Sequence, residues 1–245
     1  MSSSSQDQQI LLYGYFRSTA AWRVRLALTL KGIPFDQKFI NLVKGEQNEP
    51  SYKEINPNRV LPSLVISTTS SAAAASSSPS RHVLNQSPAI LEFIEEYFPD
   101  HGPKLLPNDL FERQQVRSIV SLVCCDIHPV QNLRVQVKLF GKDAAAREDY
   151  AKWAIGIGFD ALELTLEKTA GKYCVGDTLS LADLCVVPMA FNAYRNNVSM
   201  DVYPTIARIY RECHQLEAFR SCHPKKQPDC PAEGKVGDET AGLVW

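Results

Sequence analysis

Three absences narrow the possibilities before any motif is considered. No excess of charge exists: 26 Lys and Arg residues against 27 Asp and Glu give a formal net charge of −1, whereas nucleic-acid binding needs a concentrated basic face. No apolar run approaches the roughly 18 residues of a membrane-spanning helix, and the opening MSSSSQDQQ lacks the apolar core of a secretory signal. The seven cysteines contain no C-x-x-C pair, so a dithiol redox site has no support. Their odd number and scattered placement fit reduced thiols, and the cytoplasm is the expected compartment. Cys213-His214, Cys222-His223 and Cys230 match no common zinc spacing, so no metal is expected. Cys124, Cys125 and Cys185 sit in apolar helical patterns and read as buried hydrophobes.

What is present is enough apolar matter for a substantial core, 44% of 245 residues, in one or two compact domains. After a flexible start over 1–9, the first hundred residues alternate short strand and helix signals. ILLYGY (10–15), FDQKFIN (35–41), LPSLVIS (61–67) and RHVLN (81–85) read as strands. WRVRLALTLKG (22–32), a short stretch near 47–54 and PAILEFIEEYF (88–98) read as helices, the last with Ile90, Leu91, Ile94 and Tyr97 on one apolar face. The order β-α-β-α-β-β-α implies a small mixed sheet covered by helices over 10–98. A Ser/Ala-rich stretch over 67–81 reads as a flexible insertion at a hairpin tip, or alternatively as a modification or docking loop. Residues 99–110 read as a linker, and 111–220 as an all-helical region with segments near 111–140, 143–170, 181–195 and 204–220. Ile155, Phe159, Leu162 and Leu166 recur at core spacing. Pro129 and Pro188 are expected to kink or interrupt their helices. The tail 221–245, with repeated Pro, Lys and Gly, is expected on the surface.

Several helix starts and turns could carry chemistry. Ser18 and Thr19 stand where the first strand passes into the first helix, the usual ligand position of a β-α unit. Their hydroxyls could cap the helix and nothing more, or donate to an anion such as a thiolate held there. In NQSPAI, Ser87 reads as an N-cap with Pro88 in the first turn, a helix start that suits a carboxylate or phosphate or simply a cap. Pro62 opens a strand; a cis bond there would leave the backbone of Leu61 free for an extended, peptide-like ligand. Ser180 followed by Asp183 is a helix capping box, with Leu179 and Leu184 as an outer staple. Its role is folding.

In combination these stretches resemble the zeta class of glutathione transferases, the maleylacetoacetate isomerase family. The resemblance runs from about residue 10 to about 232 and rests on YFRSTAAWRVRLALTLKGI, NPNRVLPSL, QSPAILEFIEEYFP, DIHPVQNLRV, YCVGDTLSLADLCVVP and NAYR in one order. It implies a glutathione transferase fold: an α/β, thioredoxin-like N-terminal domain followed by an all-α C-terminal domain, assembled as a homodimer. It also implies glutathione as cofactor and a small-molecule substrate. By motif match, Ser18 activates the glutathione thiol with Thr19 beside it; Gln47, Leu61, Gln86, Ser87, His128, Asn132 and Arg134 contact glutathione. Arg195, with Arg17 as second candidate, holds a substrate carboxylate through its planar fork. The implied reaction is cis–trans isomerisation of maleylacetoacetate to fumarylacetoacetate, in tyrosine and phenylalanine breakdown, by reversible addition of a thiolate to the double bond. The alternatives are a transferase acting on α-haloacids or other electrophiles, and a non-catalytic glutathione-binding subunit. One departure from the family matters, beyond Thr19 in place of a serine: Ala20 stands where the signature has cysteine, which argues against reductase chemistry that needs a protein thiol there.

Overall fold

The computed structural model describes residues 8–68 and 80–234, and the chain divides into two compact units. One takes in the chain up to Gly102 together with the segment from Cys222; the other runs from Pro103 to Ser221.

The first unit follows the expected element order: β1 (Gln8–Gly14), α1 (Thr19–Leu30), β2 (Asp36–Phe39), α2 (Pro50–Ile55), β3 (Ser63–Thr68), β4 (Ser80–Asn85) and α3 (Ser87–Tyr97). The sheet order is β2-β1-β3-β4. β1 and β2 are parallel, which requires the α1 crossover between them, whereas β3 runs antiparallel to both of its neighbours. Tyr13 lies opposite Ser63, Ser63 opposite Asn85, and Gly14 opposite Phe39. The ends of β1, β2 and β4 and the start of β3 therefore share one edge of the sheet, and the segments leaving them emerge together. Trp22, Val24, Leu26 and Leu28 of α1 and Ile90, Leu91 and Ile94 of α3 are all buried. A second apolar cluster joins Tyr13, Tyr15, Ile40, Tyr52, Leu61 and Val65.

Helix α1 is buried along nearly its whole length, Arg23 and Arg25 included. Its end is fixed through Lys31, whose Nζ sits 2.8 Å from Glu95 Oε2 and donates to the carbonyls of Phe98 (3.5 Å) and His101 (3.2 Å). Gly102 follows at φ +56°, and a Cβ there would lie 2.5 Å from the Leu30 carbonyl oxygen. Both the conformation and the close approach to backbone demand glycine. Gly102→Ala is expected to cost about 2 kcal/mol or more, read as a lowered urea midpoint at unchanged slope.

The second unit contains α4 (Leu110–Ser121), α5 (Leu133–Phe140), α6 (Ala144–Thr169), α7 (Leu181–Arg195), α8 (Pro204–Cys213) and α9 (Glu217–Ser221). Ile155, Phe159, Leu162 and Leu166 are fully buried on α6, as their spacing requires. The capping box is formed: Asp183 accepts from the backbone N–H of Ser180 at 2.8 Å, and its other oxygen accepts from the Cys174 N–H at 2.8 Å.

Several expectations need correction. The helix read over 111–140 is three pieces: α4, a π-helical stretch Leu122–Ile127, and α5 after a turn containing Pro129. Pro188 does not interrupt α7, which runs through it with Leu181–Ala193 buried throughout, so surrounding packing compensates the missing backbone bond. The last segment read as one helix is split between α8 and α9. Cys125 is exposed and Cys124 half-buried; only Cys185 of that group is fully buried. Tyr97 faces outward at 49% exposure, stacked on Phe93. Ser67–Thr68 and Ser80–Arg81, read as part of the insertion, are paired strand residues, and Gln8 and Gln9 pair with Thr68 and Ser67. Residues 1–7, 69–79 and 235–245 lie outside the described residues. The tail is only partly at the surface where it is described: Ser221, Pro228, Pro231, Ala232 and Glu233 are exposed, whereas Cys222, His223, Gln227 and Cys230 are buried. Among the described residues, no helix is long and apolar enough to cross a membrane.

Candidate active site

Ser18 is the N-cap of α1. Its backbone is extended (φ −75°, ψ 107°), its N–H donates to the Tyr15 carbonyl at 2.9 Å, and its Oγ accepts from the Ala21 N–H at 3.2 Å. A hydroxyl that accepts one bond still has its own proton to donate. The two readings of Ser18, cap and anion donor, are therefore compatible: one hydroxyl can do both. Thr19 opens the helix and is buried, as is Ala20 behind it. Arg17, on the turn before Ser18, is exposed.

Leu61 precedes Pro62 across a cis peptide bond, and β3 begins its pairing only at Ser63. A polar cluster not anticipated from sequence holds this segment. The Tyr52 hydroxyl donates to the Val60 carbonyl at 2.7 Å and lies 3.1 Å from Ser63 Oγ. Asn56 Nδ2 donates to the same carbonyl at 2.8 Å, and Ser63 Oγ donates to Asn85 Oδ1 at 2.6 Å. Burial raises the Tyr52 phenol, against the hydrogen bonds of Ser63 and Asn56, which keeps it a neutral donor. Tyr52, Asn56 and Ser63 are near one another in sequence, whereas Asn85 is brought to them by the register of β3 on β4.

At the end of β4 the helix start differs from expectation. Ser87 is the first residue of α3 rather than its cap, and its Oγ accepts from buried Arg23 Nη1 at 3.1 Å. A cationic donor from α1 has taken the hydroxyl that would otherwise cap the helix. The N-cap position belongs to Gln86, which is exposed and held at φ 71°, ψ 108°. A non-glycine residue in that region is strained by about 1–3 kcal/mol, a cost that concentrates at ligand sites.

Gln47 lies in a short 3₁₀ turn, Glu46–Asn48, that follows the end of β2. Its Oε1 is buried and has no hydrogen-bond partner among the described residues. Register and chain direction thus bring Ser18, Gln47, Leu61, Gln86 and Ser87 to one end of the sheet.

The remaining candidates belong to the second unit. His128 is half-buried just beyond the π-helical stretch. Asn132 caps α5, its Oδ1 accepting from the Arg134 N–H at 2.9 Å, and the Arg134 side chain is exposed. Arg195 ends α7, and its Nη1 donates to Asn192 Oδ1 at 3.1 Å. Buried Asn192 donates in turn to Gln131 Oε1 at 2.7 Å, and Gln131 Nε2 donates to the His128 carbonyl at 3.3 Å. Gln131 and Asn192, both buried, tie the exposed arginine to the His128 turn. They lie inside the DIHPVQNLRV and NAYR stretches without standing out by residue type.

A small mixed sheet with a serine at its first helix start, joined in one chain to a helical unit, defines the class as the glutathione transferase fold. The Glutathione S-transferase N-terminal domain model matches residues 17–97, and the Glutathione S-transferase C-terminal domain model matches residues 133–220. The chain is 43% identical over 228 residues to the maleylacetoacetate isomerase of Mus musculus, covering 91% of this chain and 96% of that protein. Among solved structures, it is similar to the maleylacetoacetate isomerase from Anaeromyxobacter dehalogenans 2CP-1 with glutathione bound in its active site. That match has a TM-score of 0.80 and 36% identity over 92% of this chain and 100% of that one. It is also similar to a bacterial zeta-class maleylpyruvate isomerase in its holo form, with a TM-score of 0.79 and 38% identity over 90% and 100% of the two chains. The chain belongs to the glutathione S-transferase family, in its zeta-class maleylacetoacetate isomerase branch.

Proposed function

We propose that this protein is a glutathione-dependent isomerase that converts maleylacetoacetate to fumarylacetoacetate. The observation that carries the reading is the helix start at Ser18, whose hydroxyl accepts from the Ala21 N–H and keeps its own proton to donate at the positive end of α1. Glutathione, when bound, would supply the thiol nucleophile for reversible addition to the conjugated double bond. The residues present fit such a ligand. The buried, unpartnered Gln47 Oε1 can accept an N–H from it, and Leu61 offers its backbone before the pairing of β3 begins. Gln86 and Ser87 stand at the positive end of α3, suited to a carboxylate. Ser18 would donate its hydroxyl proton to the thiol sulfur and favour its ionised form, with Thr19 beside it. His128, Asn132 and Arg134 are further glutathione contacts.

Arg195 binds the substrate carboxylate, with Arg17 as second candidate, and the Asn192–Gln131 pair sets the Arg195 fork. Asn192→Leu is therefore expected to raise the KM for maleylacetone, a simpler substrate analogue, by about tenfold, with the KM for glutathione unchanged in steady-state kinetics. The assembly is a homodimer in the cytoplasm, in keeping with the family and the free thiols. Purified protein with glutathione should convert maleylacetone faster than it dehalogenates dichloroacetate. The reverse preference would assign it as an α-haloacid transferase, and binding to immobilised glutathione without turnover of either would make it a non-catalytic subunit.

A further inference from the structure

The segment after α9 returns to the first unit and packs along α1. Arg25 Nε and Nη2 donate to the Cys222 carbonyl at 3.2 and 3.1 Å, and Cys222 Sγ donates to Thr29 Oγ1 at 3.2 Å. The His223 ring meets the Trp22 ring edge-on at 5.5 Å between centroids. Within the segment, Gln227 Nε2 donates to the His223 carbonyl at 3.1 Å and the Cys230 N–H to the Gln227 carbonyl at 3.0 Å. The result is a strap anchored on the buried face of α1. At its far end Asp229 Oδ2 accepts from the Phe16 N–H at 2.8 Å, a bond that spans 213 positions of sequence.

Phe16 stands two residues before Ser18, inside the turn that the Ser18 N–H closes on the Tyr15 carbonyl. That turn has two fixed points: one is local, and the other is the Asp229 carboxylate. Burial lowers Arg25 to about 10, with the charge of Asp229 among the influences that hold it up. Asp229 itself is raised by burial, opposed by the Phe16 amide, its own amide and Arg25. The Phe16 amide is thus held by a carboxyl group of the strap rather than by a neighbour in sequence. The placement has a function if the amide must be held in one direction.

We infer that Asp229 is a positioning residue: through Phe16 it fixes the turn that presents the Ser18 hydroxyl to the glutathione sulfur. This rests on the role assigned to Ser18 above. The hydrogen bond needs an acceptor, not a charge, so asparagine is expected to replace Asp229 and alanine is not.

The test follows the Phe16 amide by hydrogen exchange in the free protein. It also follows the thiol pKa of bound glutathione by ultraviolet titration, and kcat on maleylacetone. Asp229→Ala is expected to speed Phe16 exchange about tenfold, raise the thiol pKa and lower kcat about tenfold, the scale of a misplaced catalytic group. Asp229→Asn should stay within about threefold of the native protein on all three. Thermal melts identify any variant that has lost its fold, and the asparagine variant then decides alone. Unchanged Phe16 exchange in Asp229→Ala overturns the inference, as does altered exchange with native thiol pKa and kcat. So does asparagine failing as badly as alanine. Ser18→Ala separates the two claims. If it leaves thiol pKa and kcat unchanged, the Ser18 assignment fails, whatever Phe16 exchange shows. If it raises the thiol pKa, adding Asp229→Ala should reduce kcat less than about twofold further; full additivity overturns the inference.

Discussion

Alanine at position 18 should lower isomerase turnover about a hundredfold while the protein remains folded. A hydrogen bond to a charged partner contributes about 1.5–3 kcal/mol, and a donor to developing charge in a shielded site lies at the upper end of that range. The loss therefore falls chiefly on kcat, measured at saturating glutathione. The same substitution removes the cap that Ser18 Oγ provides to the Ala21 N–H, costing about 1 kcal/mol in stability. The two consequences can be separated. Ser18→Asp restores the cap, because a carboxylate accepts from the helix N–H groups, but sets a negative charge against the thiolate. Its melting temperature should return to the native value while its turnover stays at or below that of Ser18→Ala. Turnover recovered along with stability would mean that Ser18 serves the helix alone.

The largest expected loss of stability is at Asp183. Its carboxylate is fully buried and accepts three bonds: from the Cys174 N–H, the Ser180 N–H and the Ser180 hydroxyl at 3.0 Å. Burial raises this carboxyl, and those donors oppose the rise. Removing it strands buried donors at the start of α7, which is buried from Leu181 to Ala193. Each stranded group costs about 1–3 kcal/mol, so Asp183→Ala is expected to cost about 3–5 kcal/mol in denaturant unfolding. Asp183→Asn keeps the size but turns an amide toward the Ser180 N–H, so it should recover only part of that loss. An alanine variant within about 1 kcal/mol of native would show that the capping box is dispensable.

The contrast between Asp183 and Ser87 shows what was legible in the sequence. The capping box is a local device, with both partners three residues apart, and the pattern alone identifies it. Ser87 has the same residue type at a helix start, yet its hydroxyl is engaged by Arg23, 64 positions away. No local pattern carries that information. The order of strands and helices in the first unit was legible because apolar periodicity follows the period of each element. The positive φ of Gln86 was not, since glutamine at a helix start carries no sign of left-handed backbone. The strap was misread for a related reason: its Pro, Lys and Gly residues resemble a solvated tail, whereas its burial depends on α1 presenting Trp22 and Arg25 toward it. Arg25 is buried by that same packing.

The central claim to test is that the nucleophile is brought to the protein rather than supplied by it, in a site where Ala20 leaves no cysteine at the signature position. The direct measurement is maleylacetone turnover by the purified protein with glutathione, with S-methylglutathione, and with neither. Turnover is expected with glutathione and none above background in the other two, because the methylated ligand lacks the thiol that must add to the double bond. Comparable turnover with S-methylglutathione, or with no added thiol, would contradict it.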